Sequence, residues 1–165
     1  MTYREIEERR MLIRQFKPED AIQIADIFHA AVHETGARYY TPMQISAWSP
    51  TRPDPQKFAM MAKKRLFLVA QAESGQLLGF GDLEPDGHID HLFCSPDSVR
   101  TGVGTRLYLA LEDAARKNSL QVLRVEASES ALAFFERHGF TNVGRQDLVR
   151  HGVSIHNYRM QKHLD

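Results

Sequence analysis

The sequence predicts a mixed α/β fold, in which hairpins and crossover connections occur in the same sheet. Strand-like and helix-like segments alternate in the order strand, helices, three strands, helix, strand, helix and two strands. Short turns at Ser74-Gly75 and at Pro85-Asp86-Gly87 join neighbouring strands, which is typical of antiparallel pairs. Helical segments separate the later strands, which favours crossovers as well as hairpins.

Length and composition predict one domain that works in a reducing compartment. The chain has 165 residues, which we interpret as a polar extension over 1–10 and a single domain over 11–165. The chain has 21 Lys and Arg residues and 21 Asp and Glu residues. Proteins that bind the phosphates of nucleic acids usually have more basic than acidic residues, and this chain does not. The single cysteine, Cys94, and the short apolar runs predict a cytoplasmic protein without internal disulfides or a membrane span.

The first half of the domain is predicted to be one strand followed by helices. A strand over 11–16 stops at Lys17-Pro18, and apolar residues at helical spacing then favour a helix from Pro18 to about Gly36. A short helix that carries Trp48 ends at Ser49-Pro50, and another begins at Asp54-Pro55 and runs to about residue 64.

The second half contains most of the predicted sheet. Strands are predicted over 66–73, 76–83, 88–94, 121–127, 141–149 and 153–160. Helices are predicted from about Gly102 to Asn118 and over 131–138, where Gly139 supplies a left-handed end.

The segment from Arg100 to Thr105 joins a strand to a helix and has the features of an anion site. Free amide groups converge at a helix N-terminus, glycines let a phosphate approach the backbone, and Arg100 and Arg106 add positive charge. Two standard phosphate motifs do not match, because Thr105-Arg106 follows Gly104 and Leu107 stands where a dinucleotide motif has a small residue. The alternative interpretation is that this glycine-containing segment only turns the chain and binds no anion.

The sequence resembles the GCN5-related N-acetyltransferase (GNAT) superfamily in two separated motifs. The acyl-CoA-binding motif is matched by Leu92, Cys94 and Pro96 and then by Gly102-Val103-Gly104. A second family pattern is matched by Ala131, Phe135, Gly139 and Phe140. The resemblance implies a mostly antiparallel, splayed sheet flanked by helices, and an enzyme that transfers an acetyl group from acetyl-CoA to an amine.

The resemblance also implies where acetyl-CoA lies, namely in a gap between the strands at 88–94 and 121–127. The implied cofactor residues are Leu92, Phe93, Cys94, Arg100, Thr101, Gly102, Val103, Gly104, Thr105, Arg106, Ser128 and Phe135. Two positions depart from the family pattern. Val99 stands at the usual Gln or Arg of the loop, and Phe135 replaces the Tyr that often protonates the leaving thiolate.

His88 and Asp90 are the predicted catalytic residues, because family bases commonly lie four and two positions before the motif leucine. Strand alternation puts both side chains on one face, and His91 on the other. An alkylamine with a pKa of about 10.4 needs roughly 4–5 kcal/mol to lose its proton at neutral pH, so a base is useful. The alternative is that His88 and Asp90 are merely exposed strand residues near a turn. Glu84 is a reserve candidate for the base. No metal site is predicted.

The acceptor site is expected near the first helices, with Glu34, Tyr40 and Trp48 as candidate binding residues. Packing of Trp48 between the helices and the sheet is the alternative.

The expected partner is a small-molecule or peptide amine rather than nucleic acid or a membrane. The oligomeric state stays open, with a homodimer as one option. Two rival functions are a catalytically weak acyl-CoA-binding module and a protein-interaction domain.

Overall fold

The computed structural model describes residues 1–3, 5 and 10–165, so part of the predicted extension, residues 4 and 6–9, lies outside the described residues. In the described part, eight strands alternate with helices. The strands are β1 (Leu12–Gln15), β2 (Leu66–Gln71), β3 (Leu77–Leu83), β4 (His88–Ile89), β5 (Leu92–Cys94), β6 (Val122–Ala127), β7 (Thr141–Arg150) and β8 (Val153–His163). The mixed α/β fold class is thereby confirmed.

The strands form two four-stranded sheets that meet along the chain between β4 and β5. The first sheet has the order β1-β2-β3-β5 and is antiparallel throughout. The second has the order β4-β6-β8-β7, and only the β4–β6 pair in it is parallel. The predicted combination of hairpins with a crossover is confirmed, and the sheet is splayed where β5 leaves β4.

Five α-helices cover the sheets in the described part of the chain. They are α1 (Ala21–Ala30), α2 (Pro42–Trp48), α3 (Pro55–Ala62), α4 (Val103–Lys117) and α5 (Leu132–Arg137). The predicted helix over 18–36 is confirmed as an irregular one, because a 3₁₀ turn precedes α1 and a π-helical turn over Ala31–Thr35 follows it. Thr41 caps α2 by accepting a hydrogen bond from the Gln44 amide, and Pro42 occupies the first helical position.

Each face of the sheets has its own core. Val103, Leu107 and Leu111 of α4 are fully buried, and they pack against β3 beside Gly79 and Gly81. On the opposite face, Phe58 of α3 packs with Phe67, Phe80 and residues of α1. Because both faces are covered, the line along which the two sheets separate is the natural entrance to the interior.

The prediction of one continuous strand over 88–94 is wrong. The strand breaks at Asp90 and His91, and the two short pieces pair in different sheets. The cause is Asp82 of β3, whose Oδ1 accepts the amide hydrogens of Asp90 (3.1 Å) and His91 (2.8 Å) at the break. A side-chain carboxylate thus replaces the ladder bonds that would have kept the strand regular.

No helix in the described part of the chain is long and apolar enough to cross a membrane.

Candidate active site

The central feature of the site is a gap between β5 and the end of β6. β4 pairs with β6 at His88 and Ile89, whereas β5 pairs with β3. Beyond Val125 the strand β6 continues beside β8 and away from β5. The gap is therefore an opening in the sheet itself, lined on one side by strand backbone.

The edge of β5 that borders this gap carries free backbone groups. The ladder to β3 uses the odd-numbered residues, because Asp82 N–H donates to the His91 carbonyl and Ser95 N–H donates to the Leu78 carbonyl. By antiparallel alternation, the amide and carbonyl groups of Leu92 and Cys94 point to the opposite edge, into the gap. An extended ligand with amide groups can pair with this edge as an additional strand would.

The loop between β5 and α4 presents the N-terminus of a 15-residue helix. The first helical hydrogen bond runs from the Arg106 amide to the Gly102 carbonyl, so the amides of Val103, Gly104 and Thr105 precede it. Gly102 has a φ of 93° and Arg100 a φ of 61°, both in the left-handed region, and this turns the chain sharply into the helix. Amides and helix dipole together favour an anion here.

The side chains around the loop leave it open. A Cβ on Gly104 would lie 3.5 Å from Cys94 Sγ and 3.6 Å from Phe134, so glycine leaves room beside α4 that larger side chains would fill. A cavity of about 840 Å³ adjoins the loop, lined by Met1, Glu5, Met11, Thr101, Gly102, Thr105 and Arg106. Arg106 is exposed and donates to the Met11 carbonyl at 2.9 Å, and Arg100 is exposed as well.

Three of the residues expected at the cofactor site lie around the gap in different ways. Ser128 follows β6 directly and shares a hydrogen bond of 2.9 Å with Ser130. Phe135 is buried between Tyr108 and Phe140, inside the core beneath α4. Cys94 is half-buried beside Gly104, and desolvation raises the pKa of its thiol to about 11, so it is a packing residue rather than a nucleophile.

His88 lies beside the gap between two carboxylates. Its Nδ1 is 2.8 Å from Glu84 Oε1, and its Nε2 is 2.5 Å from Glu126 Oε2. Carboxylates only accept hydrogen bonds, so both ring nitrogens donate when both contacts are made, which is the protonated imidazolium. Burial lowers the pKa of His88, but the hydrogen bonds that it donates to Glu126 and Glu84 outweigh this effect, and the net pKa is raised above 6.5.

Asp90, the other predicted catalytic residue, belongs to the same cluster through Arg65. Arg65 Nη1 donates to Asp90 Oδ2 at 2.7 Å and to Asp82 Oδ2 at 3.2 Å. Burial raises the pKa of Asp90, but the charges of His91 and Arg65 hold it below its usual value. Histidine and carboxylate groups at this spacing are also common metal ligands. Here Arg65 Nη1 already donates to Asp82 Oδ2 and Asp90 Oδ2, oxygens that a metal ion would have to bind.

The expectation that His91 points away from this cluster is wrong. Ile89 and Leu92 both pack in the core beneath α4, although regular alternation would put residues three apart on opposite faces. The break between them brings His91 next to Asp90, with 3.7 Å between His91 Nδ1 and Asp90 Oδ2. His91 Nδ1 also contacts Asp82 Oδ2 at 2.8 Å, and its ring packs among phenylalanines.

The predicted acceptor residues occupy three different environments. Tyr40 is buried, and its hydroxyl accepts the Glu129 amide hydrogen at 2.8 Å, which fixes the loop after β6. Trp48 packs edge-on against Tyr40, with 5.6 Å between ring centroids. Glu34 is exposed on the π-helical turn. Tyr40 therefore links the α1–α2 layer to the border of the gap.

Three residues of the site were missed by sequence reasoning, namely Arg65, Asp82 and Glu126. Arg65 follows α3, Asp82 lies near the end of β3, and Glu126 lies near the end of β6. The available signal was weak. Asp82 interrupts an apolar strand, and Glu126 alternates with the buried residues Val125 and Ala127. Each pattern predicts a polar face, but neither predicts which strand lies opposite.

Comparison with known proteins identifies a family with this arrangement. A family model described as an acetyltransferase (GNAT) domain matches residues 37–162. The chain is 33% identical over 149 residues to an uncharacterised N-acetyltransferase, YafP, of Escherichia coli K12, and the match covers 90% of this chain and 93% of that protein.

Solved structures agree with the sequence match. A GCN5-related N-acetyltransferase from Rhodopseudomonas palustris, also described as a class-II aminotransferase, superposes with a TM-score of 0.86. It is 35% identical, with 93% of this chain and 95% of that chain covered. YncA of Salmonella typhimurium, a putative acetyltransferase solved with acetyl-CoA, superposes with a TM-score of 0.73 at 21% identity, covering 94% of each chain. These matches confirm the resemblance found in the sequence.

Proposed function

Because the chain belongs to the GNAT family of acetyltransferases, we propose that it moves an acetyl group from acetyl-CoA to a primary amine by direct attack in a ternary complex. The observation that supports this most strongly is the gap between β5 and β6. Helix-terminal amides lie at its α4 side, and His88 lies on β4 just before the gap opens.

Acetyl-CoA suits the two backbone surfaces at the gap. The diphosphate is an anion and fits the amides of Val103, Gly104 and Thr105, where each hydrogen bond to a charged group is worth about 1.5–3 kcal/mol. The pantetheine arm carries two amide groups and fits the free edge of β5 at Leu92 and Cys94. Among the structural neighbours, YncA was solved with acetyl-CoA and PaiA of Thermoplasma acidophilum with coenzyme A.

His88 is the proposed base that removes a proton from the acceptor ammonium. The partly exposed carboxylates of Glu84, Asp90 and Glu126 surround it and favour the approach of a cation. Because the His88 pKa is raised, the neutral form that accepts a proton becomes more abundant as the pH rises. Turnover should therefore increase with pH through the His88 pKa.

In the proposed reaction the neutral amine nitrogen forms a bond to the thioester carbonyl carbon and the carbon–sulfur bond breaks. The nitrogen then loses its second proton to solvent, so that an amide and the CoA thiolate result. The amine proton passes through His88 to solvent. Phe135 has no proton to donate, so the thiolate takes one from water, which a thiol pKa near 8.5 makes a modest requirement.

A second candidate function is an acyl-CoA-binding module with weak or no catalysis. Phe135 supports it, because it replaces the tyrosine of the family pattern and is buried in the core. Such a module would bind the cofactor through the same loop and gap without turning it over.

A thiol-release assay with acetyl-CoA and a panel of primary amines separates these candidates. The panel holds an amino acid, a diamine, an aminoglycoside and a lysine-containing peptide. The transferase requires thiol release above the acceptor-free rate with at least one amine. A rise in melting temperature with acetyl-CoA but no release supports the module, and a flat melting temperature at millimolar acetyl-CoA contradicts both.

A further inference from the structure

Arg65 contacts three carboxylates from two segments of the chain, namely Asp82 and Glu84 at the end of β3 and Asp90 after β4. It lies between α3 and β2, and 14% of its side chain is exposed. Its Nη1 donates to Asp82 and Asp90, and its Nη2 lies 3.7 Å from Glu84 Oε2. A planar guanidinium with several fixed donors can make such contacts together, whereas an ammonium group cannot.

The first of these carboxylates holds the split between the two sheets. Asp82 is completely buried, and its Oδ1 accepts the two amides at the break between β4 and β5. A buried carboxylate needs a cation or donors around it, and Arg65 and His91 contact the other oxygen, Oδ2. Asp82 thus sets the position of β5 relative to β4, and with it the width of the gap. Arg65 neutralises the charge of Asp82.

The other two carboxylates flank the proposed base. Glu84 accepts from His88 Nδ1 through its Oε1 and approaches Arg65 through its Oε2. Asp90 bonds to Arg65 and lies with Glu84 and His88 in one group, whose ligand atoms are all within 4.8 Å of one another. One guanidinium therefore connects the split in the sheet to the orientation of the imidazole.

Stability alone gives little reason for this arrangement. Replacing a buried ion-pair cluster by apolar residues of similar volume is often neutral or stabilising. The Nε atom of Arg65 is buried and makes no hydrogen bond within the described residues, so the guanidinium does not satisfy its own donors. The guanidinium is instead oriented so that it contacts the three carboxylates.

We propose that Arg65 is a positioning residue of the acetyl-transfer site, which holds the β4–β5 split and the carboxylates around His88 in a fixed relation. This inference deepens the proposed function and rests on it. Arg65 does not touch the reacting atoms and acts through Asp82, Glu84 and Asp90.

The proposal makes a prediction about the charge that His88 experiences. The charged or titratable groups that face His88 or its partners are Arg65, Glu84, Asp86, Asp90, His91, Arg124, Glu126 and Arg159. In this set Arg65 is the cation bound between the carboxylates that flank His88. Removing it leaves Glu84 and Asp90 without their counter-ion, so the pKa of His88 must rise.

The test measures the His88 pKa directly by NMR titration of the histidine ring signals. The His88 signal is the one that is present in the wild type and missing in His88→Gln. Arg65→Met should raise the His88 pKa by about one unit, which leaves about tenfold less neutral imidazole near neutral pH. Arg65→Lys should keep the pKa near the wild-type value, because it keeps the charge. With an amine found by the thiol-release assay, Arg65→Lys should still lower kcat about tenfold, because it loses the three-way contact.

The control is Arg52→Met, which removes an exposed arginine that pairs with Asp26 away from the site and should leave the His88 pKa unchanged. An unchanged or lower His88 pKa in Arg65→Met overturns the proposal. If Arg65→Met does not fold, Arg65→Gln decides, because it also removes the positive charge and must raise the His88 pKa. The titration needs neither acetyl-CoA nor an acceptor, so its failure is distinct from failure of the proposed function.

Discussion

The loop between β5 and α4 and the His88 cluster lie at the same gap, but the first consists of backbone groups and the second of side chains. The loop presents main-chain amides at the start of α4, and its nearest charged side chains, Arg100 and Arg106, are exposed. The His88 cluster consists of side chains from four separate segments of the chain. Main-chain binding depends on local conformation, whereas the cluster depends on how distant strands pack.

This difference predicts how each region responds to substitution. In the loop, changes of shape should matter more than changes of charge. In the cluster, an isosteric change of charge should matter although the shape is kept.

Gly104→Val is expected to have the largest effect, a loss of about 100-fold or more in acetyl-CoA affinity. The branched side chain fills the space beside Cys94 and Phe134 and blocks the approach of phosphate to the helix amides. Calorimetric titration with acetyl-CoA measures the affinity, and circular dichroism checks that the fold survives. Gly104→Ala is the matched control, because its Cβ makes only ordinary contacts, and it should lose much less affinity. Unaltered affinity in Gly104→Val contradicts the main-chain interpretation of the loop.

His88→Gln is expected to lower turnover about 10²–10³-fold while acetyl-CoA affinity stays near normal, because a general base acts only on the acceptor. The rise of kcat with pH through the raised His88 pKa should also disappear. The measurement is thiol release between about pH 6 and pH 9 with an amine that the wild type acetylates. A variant that keeps the pH dependence would remove His88 from the role of base.

The loop could be predicted from the sequence because its determinants are local. Two glycines, a preceding strand and a following helix are contiguous over 92–117, and the structure has the strand, turn and helix there. Most elements were predicted for the same reason, since helix periodicity and turn residues act over a few positions. The cofactor roles of the loop residues stay predictions.

The His88 cluster could be predicted only in part because its determinants are distant in the sequence. The spacing of His88 and Asp90 was visible, but their partners come from positions 65, 82, 84 and 126. The break at Asp90 and His91 was missed because it is caused by a side chain of β3, eight and nine residues away. Strand alternation holds within a regular strand and fails where a carboxylate takes over the backbone hydrogen bonds.

Glu126→Gln is expected to lower the pKa of His88 by about one unit, since it removes the nearest carboxylate from Nε2 without changing the shape of the side chain. The lower limb of the pH–rate profile should move to lower pH by the same amount.

The same substitution should change stability. Because His88 has a raised pKa in the fold, it stabilises the protein below the unfolded pKa of about 6.5, and this contribution is lost as pH rises through the folded value. The melting temperature of Glu126→Gln should therefore fall more at low pH than at high pH. A pH–rate profile that does not move contradicts the role of Glu126 in raising the His88 pKa.

The smallest effect is expected for the arginines of the loop. Arg106→Gln should weaken acetyl-CoA binding only about two- to fivefold, because exposed charges are screened and this guanidinium already donates to the Met11 carbonyl. Titration of acetyl-CoA at low and high salt measures it, and the difference between wild type and variant should shrink as salt is added. Arg100→Gln should behave alike, and Arg52→Gln, far from the loop, should change nothing. A loss as large as that of Gly104→Val would mean that side-chain charge, rather than the backbone amides, holds the diphosphate, and the contrast between the two regions would then fail.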